Sequence, residues 1–389
     1  MLVKDICVIE SNNYQKTDQW TYFNYLDTGN IYKNNISSLQ YIKNEQDLPS
    51  RAKQKVSLND IIYSSVRPNQ EHYGFIDKNY DNLLVSTGFI ILKPITIKVV
   101  PQFLYYFLSQ PSIVNNMQMI AQNSTSQYPS ITKDDLLNIK INLPSIEKQK
   151  EIVSILKSID NQIKKNNAMV RKLQVMTQGI YTKWFIQFDF PYAIKTLVYN
   201  EELKKEIPEG WKVLKLNDLL TKSCTTTKLK ENSPTIDLSV MPSSNISLVE
   251  VNNSNNFNTN LNDMHEGYIL FGSIRPYLKK CGIAPCDGCV TGTVYQFMEK
   301  IRNVYNYSLL TMSQDFFFDY ALKVSKGTRM PVVSADDLLN YKLPYNKEIV
   351  ELFNKIPIKK IILSVNKSTN SLIKLKNKLL PLLINGQLK

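Results

Sequence analysis

Between Ser145 and Gln178 the chain runs without a proline or glycine, and apolar residues recur along it at helical spacing. Counting in sevens puts Ile152, Ile159, Asn166, Leu173 and Ile180 on one position, and Ile155, Gln162, Met169 and Met176 on a second. Such a pattern predicts one long helix with an apolar seam, a rod of roughly 60 Å for about 40 residues at ~1.5 Å each. The polar pair Gln162 and Asn166 falls mid-seam, where a buried polar side chain fixes register. A second stripe begins at Ile349, Leu352, Phe353 and Ile356, and continues through Ile361, Ile362, Val365, Leu372, Leu375, Leu379 and Leu382. A break or kink is expected near Pro357 and termination near Pro381. The two rods are expected to pack antiparallel as a coiled coil, since one globular region separates them in sequence.

A mixed region precedes each rod. In the first, short apolar runs at Ile61 to Tyr63, Leu83 to Val85 and Phe89 to Leu92 read as strands. Pro101 and Pro111 each stand at a plausible first helical position. The second region repeats the pattern, with strands near Tyr268 to Phe271 and Val294 to Phe297 and helices near Tyr305 to Met312 and Asp315 to Val324. The repetition extends to residues. Val66-Arg67-Pro68 returns as Ile274-Arg275-Pro276, Ser109-Gln110 as Ser313-Gln314, and Asp134-Asp135-Leu136-Leu137-Asn138 as Asp336-Asp337-Leu338-Leu339-Asn340. Leu143-Pro144 returns as Leu343-Pro344 and Glu151-Ile152-Val153 as Glu348-Ile349-Val350. The expected fold is therefore α+β: two similar globular domains separated by two long antiparallel helices, as a pseudo-two-fold internal repeat.

Charge adds a partner class to this picture. The net charge is +13, and it concentrates on the rods: residues 145–186 hold eight Lys and Arg against three acids, residues 346–389 nine Lys against two. Basic rods joining near-neutral domains suit a polyanion, nucleic acid before membrane. Neither a signal-peptide pattern nor an apolar run long enough to span a bilayer is evident, so a cytoplasmic location is expected.

Catalytic and metal chemistry find little to use. Cys281, Cys286 and Cys289 have the spacing of three iron–sulfur ligands, but a fourth downstream is missing. Only His72 and His265 are available for a metal site or triad. The acid pairs Asp134-Asp135 and Asp336-Asp337 read as capped helix starts with acids in the first turn. A phosphate-cradling G-x-x-x-x-G-K-[ST] loop is absent. Catalytic, cofactor-binding and metal residues are all expected to be none in this chain.

The run Leu143-Pro144-Ser145-Ile146-Glu147-Lys148-Gln149-Lys150-Glu151-Ile152-Val153, the helix end Tyr181-Thr182-Lys183-Trp184-Phe185 and the later Ile207-Pro208-Glu209-Gly210-Trp211 resemble the specificity subunits of type I restriction–modification systems. The resemblance covers the whole chain. It departs at the N-terminus, which lacks a counterpart of Ile207 to Trp211, and at Asn346-Lys347-Glu348, which replaces the fuller Glu-Lys-Gln-Lys-Glu sequence. The resemblance implies a non-catalytic reader of double-stranded DNA. Residues 1–144 would form a first target-recognition domain, 145–188 a central spacer rod, 189–345 a second target-recognition domain and 346–389 a C-terminal rod. Two methyltransferase subunits, using S-adenosylmethionine, would dock on it, joined in many systems by a nuclease–translocase subunit.

Base edges are read by side chains with directed donors and acceptors, arginine favouring guanine and asparagine or glutamine favouring adenine. The repeated Arg-Pro turns supply Ser65, Arg67, Asn69 and Gln70 in one half and Ser273, Arg275, Tyr277, Lys279 and Lys280 in the other. The polar loops before the shared proline supply Asn123, Ser124, Thr125, Ser126 and Gln127, and then Lys326, Thr328 and Arg329. Two readings stand for the shared arginines: contact with DNA, or support of a structural turn. Two others stand for the chain: the equivalent subunit of a system whose partner fuses methyltransferase and nuclease, and a coiled-coil scaffold that binds no DNA.

Overall fold

A computed structural model of the protein describes residues 1–123, 128–191, 196–223, 225–227 and 231–387. The chain is mixed α/β and divides into two compact units, Met1–Asp160 with Lys374–Lys389, and Asn161–Ile373.

In the first unit the apolar runs pair into two four-stranded sheets. The first is antiparallel, in the order Cys7–Ile9, Phe89–Pro94, Ile61–Ser64, Tyr73–Phe75. The second runs Gln40–Ile42, Phe23–Leu26, Leu83–Ser86, Ala52–Lys55, and pairs Phe23–Leu26 with Leu83–Ser86 in parallel. Helices α1 (Pro101–Leu108) and α2 (Pro111–Gln122) start on prolines, whose missing N–H would be unpaired there in any case. Phe103 to Leu108 are all buried in the core that also holds Ile61, Tyr63 and Leu92. Helix α3 (Lys133–Leu137) is closed by a capping box: the Asp135 N–H donates to Thr132 Oγ1 at 3.3 Å and the Thr132 N–H to Asp135 Oδ2 at 2.7 Å.

Helix α4 (Ile146–Tyr181) is 36 residues long. Within the first unit its Ile152, Val153 and Leu156 share a core with Leu380, Leu383 and Ile384. There the Asp160 carboxylate accepts from the Tyr106 hydroxyl at 2.8 Å and from Lys376 Nζ at 2.6 Å.

The second unit repeats these sheets in the same order. Leu220–Ser223, Val294–Glu299, Ile269–Gly272 and Cys281–Ile283 form an antiparallel sheet. The other runs Thr226–Thr227, Leu261–Met264, Gly288–Thr291, Pro234–Ile236, Asn252–Asn253, with the parallel pair again internal and one added edge strand. Helices α5 (Leu216–Leu219), α6 (Tyr305–Met312), α7 (Asp315–Val324) and α8 (Ala335–Leu339) follow, α8 capped by Ser334, whose Oγ accepts the Asp337 N–H at 3.1 Å. Both acid pairs thus sit in capped first turns.

Helix α9 (Lys347–Asn354) stops before Pro357 and α10 (Ile358–Ile384) begins after it. Buried Asn306 stabilises the break, its amide donating to the carbonyls of Phe353 (3.2 Å), Asn354 (3.4 Å) and Ile356 (2.7 Å) around the helix end.

Two expectations for the helices need correction. The burial on α4 follows Ile152, Leu156, Ile159, Asn166, Val170, Thr177 and Tyr181, with Ile163, Leu173 and Ile180 half-buried. The second column is thus Leu156-Ile163-Val170-Thr177. Ile155 is 45% exposed and Gln162, Met169 and Met176 are exposed too, because one residue along a helix turns a side chain by about 100°. On α10 the buried positions are Ile358, Ile362, Asn366, Thr369, Leu380, Leu383 and Ile384; Ile361, Val365 and Leu372 are half-buried and Leu375 is 45% exposed. The helix ends at Ile384, near Pro381 as expected, with the proline inside its last turn. A proline in a last turn forfeits one backbone hydrogen bond, and the burial of Leu380, Leu383 and Ile384 holds the turn. Among the described residues, no helix is long and apolar enough to cross a membrane.

Candidate nucleic-acid interface

In each unit the two candidate segments are one structure. The strand Ile61–Ser64 leads to Arg67, whose backbone lies in the left-handed region at φ 49°, followed by a 3₁₀ turn over Pro68–Gln70 and Glu71 at φ 54°. In the second unit Arg275 has φ 52°, the turn is Pro276–Leu278, and Lys279 has φ 52°. The residue before a proline is kept out of the right-handed helical region, and here a main-chain lock holds it instead. The Arg67 N–H donates to the Pro129 carbonyl at 2.9 Å and the Ile131 N–H to the Ser65 carbonyl at 2.8 Å. Likewise the Arg275 N–H donates to the Pro331 carbonyl at 2.7 Å and the Val333 N–H to the Ser273 carbonyl at 3.0 Å. Backbone bonds therefore align the Arg-Pro turn with the segment around the shared proline, leaving both arginine side chains exposed.

A close approach by a third segment completes each edge. Gly74 and Gly282 sit on equivalent strands. A Cβ at Gly74 would strike the Ile31 side chain, and one at Gly282 would lie 2.8 Å from the Ile246 carbonyl oxygen. Lys33 of the first unit donates its N–H to the Glu71 carbonyl at 3.0 Å and pairs with the Glu71 carboxylate at 2.8 Å. The corresponding bond of the second unit runs from the Ser244 N–H to the Lys279 carbonyl at 2.9 Å.

Of the sequence candidates, Arg67, Asn69, Gln70, Asn123, Arg275, Tyr277, Lys326, Thr328 and Arg329 have exposed side chains on these edges. The Asn69 backbone N–H is held by Gln118 Oε1 at 3.1 Å, and the half-buried Lys279 pairs with Asp315 at 2.7 Å. A two-residue ladder between Lys326 and Val332, with Gly327 at φ +92°, closes the second loop. Ser124, Thr125, Ser126 and Gln127 lie outside the described residues.

Three candidates serve the scaffold instead. Ser65 donates its hydroxyl to the Gly88 carbonyl and Ser273, 2% exposed, to the Thr293 carbonyl, each at 2.9 Å. Lys280 turns its ammonium inward to the carbonyls of Leu238 and Met241, and burial pulls its pKa below the usual lysine range. The candidate loops end on Tyr128, 52% exposed, and Met330, 51% exposed, each immediately before the shared proline, and Arg67 Cζ lies 5.1 Å from the Tyr128 ring centroid.

Cys281 and Cys289 are buried, and burial pushes the Cys281 thiol far above the range in which a thiolate forms. Among the described residues no group of three or more His, Cys, Asp and Glu is placed to hold a metal ion.

Comparison with known proteins gives this edge its context. Residues 1–172 match the family model described as the type I restriction modification DNA specificity domain. The chain is 31% identical over 185 residues to the type I restriction enzyme HindI specificity subunit of Haemophilus influenzae, a match spanning 48% of this chain and 40% of that one. It is 24% identical over 390 residues to the MjaIX specificity subunit of Methanocaldococcus jannaschii, covering 92% and 86% of the two chains. In fold it is similar to the type I restriction–modification S subunit from M. genitalium, with a TM-score of 0.55 at 13% identity over 99% of this chain and 95% of that one. The matched residues include the part of the first unit up to Asp160. Together these matches show that the chain is similar to specificity subunits of type I restriction–modification systems, and that it spans less than half the length of the Haemophilus relative.

Proposed function

We propose that the chain is the non-catalytic DNA-recognition subunit of a type I restriction–modification complex, acting in the cytoplasm. Each globular domain, 1–144 and 189–345, reads one half of a bipartite double-stranded target. The helices of 145–188 and 346–389 set the gap, as an antiparallel pair within a two-fold internal repeat. The observation that carries the reading is the duplicated edge: an exposed left-handed arginine locked to the segment around a shared proline, with different side chains on the two copies. The helix pairing is supported by Asn166, whose amide donates to Thr369 Oγ1 at 3.1 Å and to Ser368 Oγ at 3.4 Å. Two methyltransferase subunits dock on the assembly and carry S-adenosylmethionine; a nuclease–translocase subunit joins where the system restricts DNA. Exposed Arg67, Asn69, Gln70, Arg275, Tyr277, Thr328 and Arg329 face the DNA.

The test is an exchange. Replacing residues 1–144 with the corresponding domain of a homologous subunit should change one half of the methylated motif, read by sequencing adenine methylation in cells, and leave the other half and the gap intact. A change in both halves sinks the two-reader assignment. Absence of specific binding by the intact complex would leave the scaffold reading in its place.

A further inference from the structure

We infer that Gln174 and Asn366 are positioning residues that key the second Arg-Pro turn to helices α4 and α10, and so help fix the gap between the half-sites. The inference rests on the DNA-reading function proposed above. Gln174, 7% exposed, donates its amide N–H to the Ser244 carbonyl at 2.9 Å and accepts the Ile246 N–H at 3.2 Å. Asn366, 2% exposed, accepts the Ser247 hydroxyl at 2.8 Å and donates to the Leu248 carbonyl at 2.9 Å. One amide from each helix thus grips the segment 244–248 from inside the second unit.

That segment is in turn fastened to the turn. The Ser244 N–H bonds the Lys279 carbonyl, the Ile283 N–H bonds the Ile246 carbonyl at 2.9 Å, and Gly282 leaves room for the approach. The inward Lys280 ties the same strand to the carbonyl of Met241 at 2.9 Å. The path from Gln174 or Asn366 to Arg275 therefore includes directed polar contacts, which set a register that the apolar packing of Ile246 and Leu248 beside them does not. Moving the segment along either helix would leave buried donors and acceptors unpaired. A shift of the helices is consequently passed to the turn that carries Arg275. In the first unit the corresponding loop is fastened to its turn by the Lys33 N–H bond to the Glu71 carbonyl and by the pair between exposed Lys33 and half-buried Glu71.

The full chain, purified with the subunits that accompany it, would be used to select bound duplexes from a random library. This defines the wild-type motif and its gap. Binding is then compared on duplexes with the gap one base pair longer or shorter, for Gln174→Met, Asn366→Leu and the milder Ser247→Ala. Both half motifs should persist, while preference for the wild-type gap falls about tenfold in the two amide variants and less in Ser247→Ala. Gap preference within about twofold of wild type, in variants that still melt cooperatively, overturns the inference. So does loss of the second half motif with the gap preference intact, since the amides would then only shape the loop. If the amide variants do not fold, Ser247→Ala decides alone: an unchanged gap preference overturns the inference. A wild-type complex that selects no bipartite motif overturns the DNA-reading function itself.

Discussion

The two edges share a backbone and differ in chemistry. Around Arg67 the shared proline is preceded by Tyr128, over whose ring the guanidinium lies; around Arg275 it is preceded by Met330, beside Arg329 and Thr328. Yet both arginines adopt the same left-handed conformation and both are locked by the same pair of main-chain bonds. The difference teaches where variation is tolerated. Because main-chain atoms make the lock, side chains on the edge can change without disturbing the frame.

Substitutions at equivalent positions put that comparison under strain. The largest effect is expected at the glycines. Gly282→Ala meets the Ile246 carbonyl and should cost about 3 kcal/mol, whereas Gly74→Ala meets the flexible end of Ile31 and should cost about 1. Denaturant midpoints of the two variants measure this, and equal losses would mean the edges are framed alike after all. Next come the arginines. Arg67→Ala and Arg275→Ala should each lower discrimination at one half-site by about 2 kcal/mol, roughly thirtyfold, in competition binding against single-base variants. A uniform loss across both half-sites would reassign them to phosphate contact.

Smaller but sharper is a pair of tyrosine exchanges. Tyr63 and Phe271 are equivalent; the Tyr63 hydroxyl is buried with no hydrogen-bond partner among the described residues, while Phe271 packs between Phe317 and Phe318. Tyr63→Phe should be neutral or stabilise by about 1 kcal/mol, and Phe271→Tyr should destabilise by about 1–2, an opposite sign readable by calorimetry. Smallest are the caps. Thr132→Ala and Ser334→Ala should each cost about 1 kcal/mol, and similar shifts in melting temperature would confirm that the acid pairs do equivalent structural work.

Much of this frame was legible in the residues. Pro101, Pro111 and the Arg-Pro repeats marked element boundaries that local chemistry dictates, and the column Ile152-Ile159-Asn166-Leu173-Ile180 lies on the buried side of α4. The partner column was misassigned because intervals of three and four alternate in either order. Leu156, Ile163 and Val170 are more apolar than Ile155, Gln162 and Met169, and would have decided it. The second sheet was mostly unreadable, since Phe23–Leu26 finds its parallel partner Leu83–Ser86 far along the chain and short strands carry little periodicity. Among the site residues, Ser65, Ser273 and Lys280 were misplaced for one reason. Residue type shows that a group can bond, whereas only the fold shows which way it faces. Gln174 and Asn366 escaped notice on helices read for their apolar stripe alone.

The left-handed arginines carry a further consequence. An L-residue held there forgoes about 1 kcal/mol that glycine would recover. Laboratory evolution for heat tolerance alone would therefore drift toward glycine at positions 67 and 275. Under the proposed function the sturdier proteins would be blind to their target, so a library meant to harden this protein should hold both codons constant.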